Sequence, residues 1–327
     1  MAAGLYHWPL ALEDARVAAR LLGQGVAVMP SKVYLRVHDA RSWTGYFGGL
    51  AGLKGRSLIK WLTYFSGTQY GPPAIEGLLV LSDIASGRPL AIMQAGSLTA
   101  VRTAATTVLA IHYLAMPGAS TVAMLGAGVQ VRHHAYALAA LCPSIQRFVF
   151  WSRTSSRLDT LAEALQPALH ARVVVAKSAQ DAIRGADIIV CAMSADAPVL
   201  KADWLPRNAL VVDIGENSFE PEAAGRFRHV VLDWKGRDTE LVSRGLGRAI
   251  KAGLYAKDSV TGDLSEFVLN KITHVRPSEG LVLFDSVGLA VEDLVLASRL
   301  YDEAAKMGIG RHWSLAMGVT PNSALSS

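Results

Sequence analysis

Four basic residues in the first third of the chain, Lys32, Arg41, Lys60 and Arg102, are the side chains best suited to chemistry. Lys60 lies between Ile59 and Trp61 in an apolar and aromatic run, LIKWLTYF. An unpaired ammonium in such a run is costly to bury, so either the side chain snorkels to water or its charge has a task. Desolvation would lower its pKa and let it act as an acid, a base or a carbonyl partner. Arg102, near the start of an alanine-rich helical stretch, could clamp a carboxylate or a pyrophosphate by a bidentate contact. Taken singly, each of the four also reads as an ordinary surface or packing residue.

A second constellation is a glycine turn. Thr121 to Leu125 reads as a short buried strand, Gly126-Ala127-Gly128 as a tight turn, and Val131, Ala135 and Leu138 as one apolar helix face beginning at Val129 and Gln130. Strand, turn and helix in this order present backbone N–H groups and a helix N-terminus to a pyrophosphate. The third glycine of the usual fingerprint is replaced by Val131. The next strand, Arg147 to Trp151, arrives about 20 residues later, as a βαβ unit requires. At its tip an NAD site usually carries an acid for the ribose hydroxyls. This chain has Ser152, Arg153 and Thr154, with Arg157 one turn on. Hydroxyls with guanidinium suit a 2′-phosphate, so the expected cofactor is NADP(H), with NAD the less favoured alternative.

Other candidates carry less. His133-His134 has no HxxxH or HExxH spacing, and no catalytic metal is expected. Asp285-Ser286 follows a strand and Gly288 permits close backbone approach, so the segment either borders a ligand or caps a helix. Glu292-Asp293 at the front of the last helix are explained most simply by the helix dipole. Glu76 could read a substrate amine, but exposure at a strand edge explains it more simply. Cys142 and Cys191 read as core thiols of a reducing compartment.

These residues are positioned by two different patterns of elements. Before Pro117 come an amphipathic helix at 10–22, strands at 32–37, 43–50, 58–65 and 76–83, an SGRP turn into LAIMQ, and a helix at 97–115. That is an antiparallel sheet with helices. After Pro117 the chain alternates: VAMLG, RFVFW, RVVVA, IIVCA, LVVDIG, HVVLD and LVLFD mark a doubly wound parallel sheet. A long helix, 288–308, lies beyond the last of these strands and is expected to return to the first unit. The expected fold class is α/β: a Rossmann doubly wound parallel sheet at 117–288, plus an α+β substrate and dimerisation unit made of 1–116 and 289–327. With 327 residues, 51% hydrophobic and 18% charged, the chain can bury a sizeable core. Its formal charge of +5 comes from scattered Lys and Arg, which argues against a nucleic-acid surface. No export signal or long apolar span is evident, so neither a membrane nor an export route is expected and the cytoplasm is the default.

The set MPSKVYL (29–35), IKW (59–61), LSDIASGRPLAIM (81–93), LTAVRTAATTVLA (98–110), LGAGVQ (125–130), WSRT (151–154) and FDSVGLAVEDL (284–294) resembles the ornithine cyclodeaminase and mu-crystallin family over nearly the whole chain, in order. The resemblance implies a homodimer built on the N-terminal unit. It implies that Lys60 is the catalytic lysine beside an imine or amine, and that Lys32 and Arg41 meet the substrate carboxylate. Arg102 would touch the cofactor and the substrate carboxylate. Gly126, Ala127, Gly128, Val129 and Gln130 would hold the pyrophosphate, Ser152, Arg153, Thr154 and Arg157 the adenosine end, and Met193, Ser286, Val287 and Gly288 the nicotinamide side.

The chain departs from the cyclodeaminase pattern at DIGENSFEPE (213–222), where Asn217 stands in place of an acid that is proposed to move protons during ammonia loss. An amide cannot serve as a carboxylate base. YFSGT after the lysine and Thr44-Gly45 after Arg41 also differ from the family pattern. The expected activity is therefore NADPH-dependent reduction of a C=N bond in an α-imino acid, either a cyclic ketimine or an imine of a keto acid and an amine, reversible as amino-acid dehydrogenation. A cyclodeaminase with internally recycled NAD, and a mu-crystallin-like binding protein regulated by NADPH, are the alternatives.

Overall fold

A computed structural model of the chain describes residues 7–37, 41–50, 55–65, 75–193, 195, 197–215, 217–236 and 244–312. The first half runs α1 (Trp8–Gly23), β1 (Ala27–Val28), β2 (Val33–Val37), β3 (Arg41–Leu50), β4 (Arg56–Phe65), β5 (Ile75–Asp83), β6 (Pro89–Gln94) and α2 (Ala95–Leu114). The second runs β7 (Thr121–Leu125), α3 (Val129–Leu141), β8 (Arg147–Trp151), α4 (Ser155–Leu169), β9 (Arg172–Val175), α5 (Ala179–Ile183), β10 (Ile188–Cys191), β11 (Leu210–Asp213), β12 (Phe227–Leu232), α6 (Gly245–Lys251), β13 (Gly262–Asp263), α7 (Leu264–Val268), β14 (Leu281–Asp285) and α8 (Ala290–Lys306).

Two sheets result. β1 to β6 form an antiparallel sheet of order β1-β3-β4-β5-β6 with β2 paired on β3, and β7 to β14 form a parallel sheet of order β13-β12-β14-β11-β10-β7-β8-β9. In the antiparallel sheet one face is covered. Leu58, Leu79 and Leu81 pack with Leu289, Val291, Leu294 and Val295 around α8, and with Ala18 and Leu22 of α1. The long last helix therefore does lie against the antiparallel sheet. In the parallel sheet both faces are covered, as βαβ connections require: along β7, Val122 and Met124 join the core on the α2 and α3 side, while Ala123 and Leu125 join the core on the other.

Helix bounds differ from the sequence reading where polar residues carry the cap. α2 begins two residues early because the Gln94 side chain accepts the Ser97 N–H. α8 begins at Ala290, two residues later than predicted, because Gly288 sits at φ +75° and the Glu292 carboxylate accepts the Leu289 N–H. Among the described residues no helix is long and apolar enough to cross a membrane.

α2 and α3 are tied by a buried imidazole. His134 Nδ1 donates to the Gln130 carbonyl at 2.8 Å, which leaves Nε2 to accept from the Thr107 hydroxyl at 2.9 Å. Both nitrogens are used in the neutral form, and burial pushes the pKa down from 6.5 to about 4. Between those values the unfolded chain takes up a proton that the folded chain refuses, so stability falls on acidification through this window, by about 3 kcal/mol in full. Urea midpoints of wild type and His134→Gln, compared at pH 7 and pH 4.5, should show a smaller acid loss in the variant; parallel losses would contradict the assignment.

Candidate active site

The site is built where α8 meets α2 beneath β4. On β4 the side chains alternate: Leu58, Lys60 and Leu62 point inward, and Ile59 and Trp61 outward at 50% and 41% exposure. A lysine has thus been placed at a core position of a regular strand, where it is fully buried. On α2, Thr99, Arg102, Thr103 and Thr106 recur at i, i+3, i+4 and i+7, one buried polar stripe on an otherwise alanine-rich helix. The first turn of α8 supplies Glu292 and Asp293, both buried.

The charges meet directly. Lys60 Nζ donates to Asp293 Oδ2 at 2.6 Å and to Thr99 Oγ1 at 3.2 Å. Arg102 Nη1 donates to Glu292 Oε2 at 3.0 Å, its Nε lies 3.5 Å from Asp293 Oδ1, and Thr106 Oγ1 donates to Glu292 Oε1 at 2.9 Å. Burial, offset by Asp293 and reinforced by Arg102 and Lys32, brings the Lys60 pKa down from 10.5 to about 8. Burial likewise lifts the Glu292 carboxyl above its ordinary range, against the pull of Arg102. The acidic pair does more than complement a helix dipole, which is what its position alone had indicated: it neutralises two buried cations.

Lys32 approaches from the chain before β2 and donates from Nζ to the Val287 carbonyl at 2.8 Å. That joins it to the 285–289 turn, which is held from below. The Asp233 carboxylate accepts from Ser286 Oγ at 3.0 Å, Val287 N at 2.8 Å and Gly288 N at 2.9 Å. Arg244 donates to the Ser286 carbonyl at 2.7 Å and the Asp213 carbonyl at 3.0 Å, and pairs with the Asp213 carboxylate at 3.3 Å. Burial works against the charge on Arg244, but Asp285, Asp213 and Asp233 together raise its pKa further. The Asp213 carboxyl is raised by burial and by its neighbour Asp285, and it anchors Gly215 N and Ser218 Oγ. Asp213, Asp233 and Arg244 therefore fix the loops at the carboxyl ends of β11, β12 and β14. Sequence reasoning did not single them out. An aspartate closing each of the apolar runs LVVD and HVVLD was the available signal, and nothing marked Arg244.

The remaining candidates occupy the same sheet edge. Gly126 has φ +123°, and a Cβ there would lie 2.6 Å from the Ala192 carbonyl, so the turn can only be glycine. At Gly128 an added Cβ would meet nothing within 4 Å: the turn is open to a ligand, and α3 starts there without a side-chain cap. Gln130 Oε1 is buried beside it with no hydrogen-bond partner. The Gly126 N–H donates to the Trp151 carbonyl, which sets the end of β8 against the turn, with Ser152 half-buried and Arg153, Thr154 and Arg157 exposed. β7 and β10 are neighbours although β8 and β9 intervene in sequence, so the turn lies at a switch point of strand order, where doubly wound sheets bind their ligands. Met193 follows β10, and its carbonyl would lie 2.5 Å from a Cβ on Gly215.

Asn217 is held at φ 55°, donates from Nδ2 to the Ala195 carbonyl and accepts from Arg248 Nη1. The backbone of Arg41 opens β3; its side chain lies outside the described residues, as do YFSGT beyond Phe65 and the segment after His312. Glu76 is exposed on β5. Cys142 and Cys191 are buried free thiols.

Comparison with known proteins gives this arrangement a context. The chain is 31% identical over 250 residues to the Delta(1)-pyrroline-2-carboxylate reductase of Bacillus cereus, covering 74% of this chain and 75% of that one. It is 28% identical over 290 residues to the ketimine reductase mu-crystallin of Rattus norvegicus, with 85% and 86% covered. Its fold matches that of Thermococcus litoralis Delta(1)-pyrroline-2-carboxylate reductase, solved with NADH and L-proline, at a TM-score of 0.88 and 24% identity over 95% of this chain and 97% of that one. The family model described as ornithine cyclodeaminase/mu-crystallin matches residues 12–308, and the chain belongs to that family.

Proposed function

We propose that the chain is an NADPH-dependent reductase of the C=N bond in an α-imino acid, cyclic or formed from a keto acid and an amine, and that it runs in reverse as an amino-acid dehydrogenase. The observation that carries this reading is the fully buried Lys60, 2.6 Å from Asp293 and in one charge cluster with Arg102 and Lys32. Such a lysine holds a proton near neutral pH in a dry site and can give it up, which is what an imine nitrogen requires as it becomes an amine. When bound, the nicotinamide supplies the hydride.

The open turn at Gly128 and the uncapped start of α3, with Gln130 in its first turn, fit the pyrophosphate of a dinucleotide, and Arg153 with Ser152, Thr154 and Arg157 fits a 2′-phosphate. Met193 and the 286–288 turn would line the nicotinamide side. Lys32, Arg102 and Arg41 would hold the substrate carboxylate, fixing the imine carbon in place. Asn217 supports reduction over cyclodeamination: its amide cannot serve as the acid or base that a carboxylate would, and Arg248 occupies its oxygen. The outward apolar face of the antiparallel sheet, with Ile59, Trp61, Leu78 and Ile92 all 41–53% exposed, supports a homodimer formed through that face. The buried free thiols suit a reducing, cytoplasmic setting.

With Lys60 near pH 8, reduction should be favoured below that value, where the ammonium is present, and amine oxidation above it, where the free amine can accept a proton. The direct experiment is NADPH oxidation at 340 nm with a panel of keto acids plus ammonia or amines, and of preformed cyclic imines. Consumption on an imine is expected; ammonia release from ornithine without net cofactor change would reject the reading. Separately, Arg153→Asp should move the NADPH/NADH preference toward NADH by about tenfold or more, through loss of a charge-assisted contact. An unchanged ratio would reject the 2′-phosphate assignment.

A further inference from the structure

We propose that Asp293 is a positioning residue for this reaction: its carboxylate keeps Lys60 in the proton-carrying form at a fixed orientation while tethering Arg102 to the same anion. The geometry is specific. Asp293 Oδ2 meets Lys60 at 2.6 Å, and its other oxygen, Oδ1, faces Arg102 Nε at 3.5 Å. Glu292 on the same turn meets Arg102 and Thr106. The two acids therefore divide the work, one reaching the lysine and one bracing the arginine.

Among the described residues, the charged groups acting on Lys60 include Asp293 from α8, Arg102 from α2 and Lys32 from the chain before β2, while Thr99 of α2 adds a neutral acceptor. Across the sheet its neighbour on β5 is Leu79, an apolar side chain. Of these groups only Asp293 favours the ammonium by charge; burial, Arg102 and Lys32 all oppose it. A buried amine in that company without the carboxylate would be largely neutral at pH 7 and could not serve as the acid in reduction. The pair also fixes the side chain, because Asp293 and Thr99 each take a bond from Nζ and so set the direction in which the ammonium is held.

The proposal rests on the reductase reading for the step that it serves, and its test is separable from that reading. With lysines labelled at 13Cε, the resonance lost in Lys60→Arg identifies Lys60, and its midpoint can be followed by NMR without any turnover. A midpoint about 8 is expected in the wild type. Asp293→Asn, which preserves shape and a hydrogen-bond acceptor, should lower it by at least about one pH unit, and Asp293→Ser should do the same should the amide variant fail to fold. Glu292→Gln should shift it by less than half as much. In the kinetic arm, the alkaline limb of imine reduction should move down in pH with the NMR midpoint, while turnover at the lowest pH changes least. An unchanged Lys60 midpoint in the Asp293 variants, or an equal shift in Glu292→Gln, overturns the proposal. Failure of the wild type to reduce any imine overturns the functional reading instead, and leaves the titration to decide the role of Asp293.

Discussion

Replacing Lys60 by methionine should lower kcat for imine reduction by at least about a hundredfold, the usual scale for losing a positioned general acid, with NADPH affinity within a few-fold of wild type. Methionine fills the same inward position on β4 between Leu58 and Leu62, so no large cavity opens, and Thr99 keeps its bond to the Ala95 carbonyl. Asp293 retains Arg102 as a counter-charge. The loss should therefore fall on the chemical step. Steady-state kinetics together with a fluorescence titration of NADPH would separate the two effects. A parallel loss of cofactor binding would show that Lys60 is mainly a structural cation, and a variant with near-normal kcat would remove it from the reaction.

The second large effect is expected at Gly288. This residue has φ +75°, and a Cβ there would lie 2.2 Å from Arg102 Nη1 and 2.7 Å from its Cζ. Arg102 cannot simply swing away, because Glu292 and Asp293 hold it in a buried position. Gly288→Ala therefore strains the backbone by about 1–3 kcal/mol and displaces the guanidinium expected to hold the substrate. A displacement of about 1 Å is enough for a hundredfold loss of kcat/KM. KM for the imino acid should rise along with the fall in kcat, and a thermal melt should show the protein folded but less stable. Wild-type kcat/KM in a folded Gly288→Ala would mean that Arg102 and this turn do not set substrate position.

These two positions illustrate what could be read from the sequence. Lys60 stood out because it breaks an apolar run, which left open whether it snorkels to water or has a charge with a task; the strand places it inward. The parallel sheet was legible because buried strands on both faces give short continuous runs of Val, Ile and Leu, such as IIVC and LVVD. The turn at Gly126 was legible because a tight strand-to-helix turn needs glycine. What stayed hidden was pairing. Glu292 and Asp293 occupy positions where a helix dipole suffices to explain an acid, and only the fold carries α8 back across about 190 residues to Thr99, Arg102 and Thr106. Asp233 and Arg244 were hidden for the same reason: their partners, at 286–288 and 213, are distant in sequence and adjacent only because β12, β14 and β11 are neighbours in the sheet. Local pattern marks the residues that need partners, and topology supplies them.

The central claim, net reduction of a C=N bond on a site organised by Lys60, is tested most directly by isotope transfer. The enzyme would be given NADPH deuterated at C4 of the nicotinamide, in each of its two stereochemical forms, with the imine found active in the absorbance panel. Mass spectrometry should find one deuterium on the α-carbon of the amino acid product, from one of the two forms, in equal amount with NADP+. Product formed without deuterium, or ammonia released from a diamino acid while the NADPH concentration stays constant, would contradict the reductase and place the chain with the cyclodeaminases of its family.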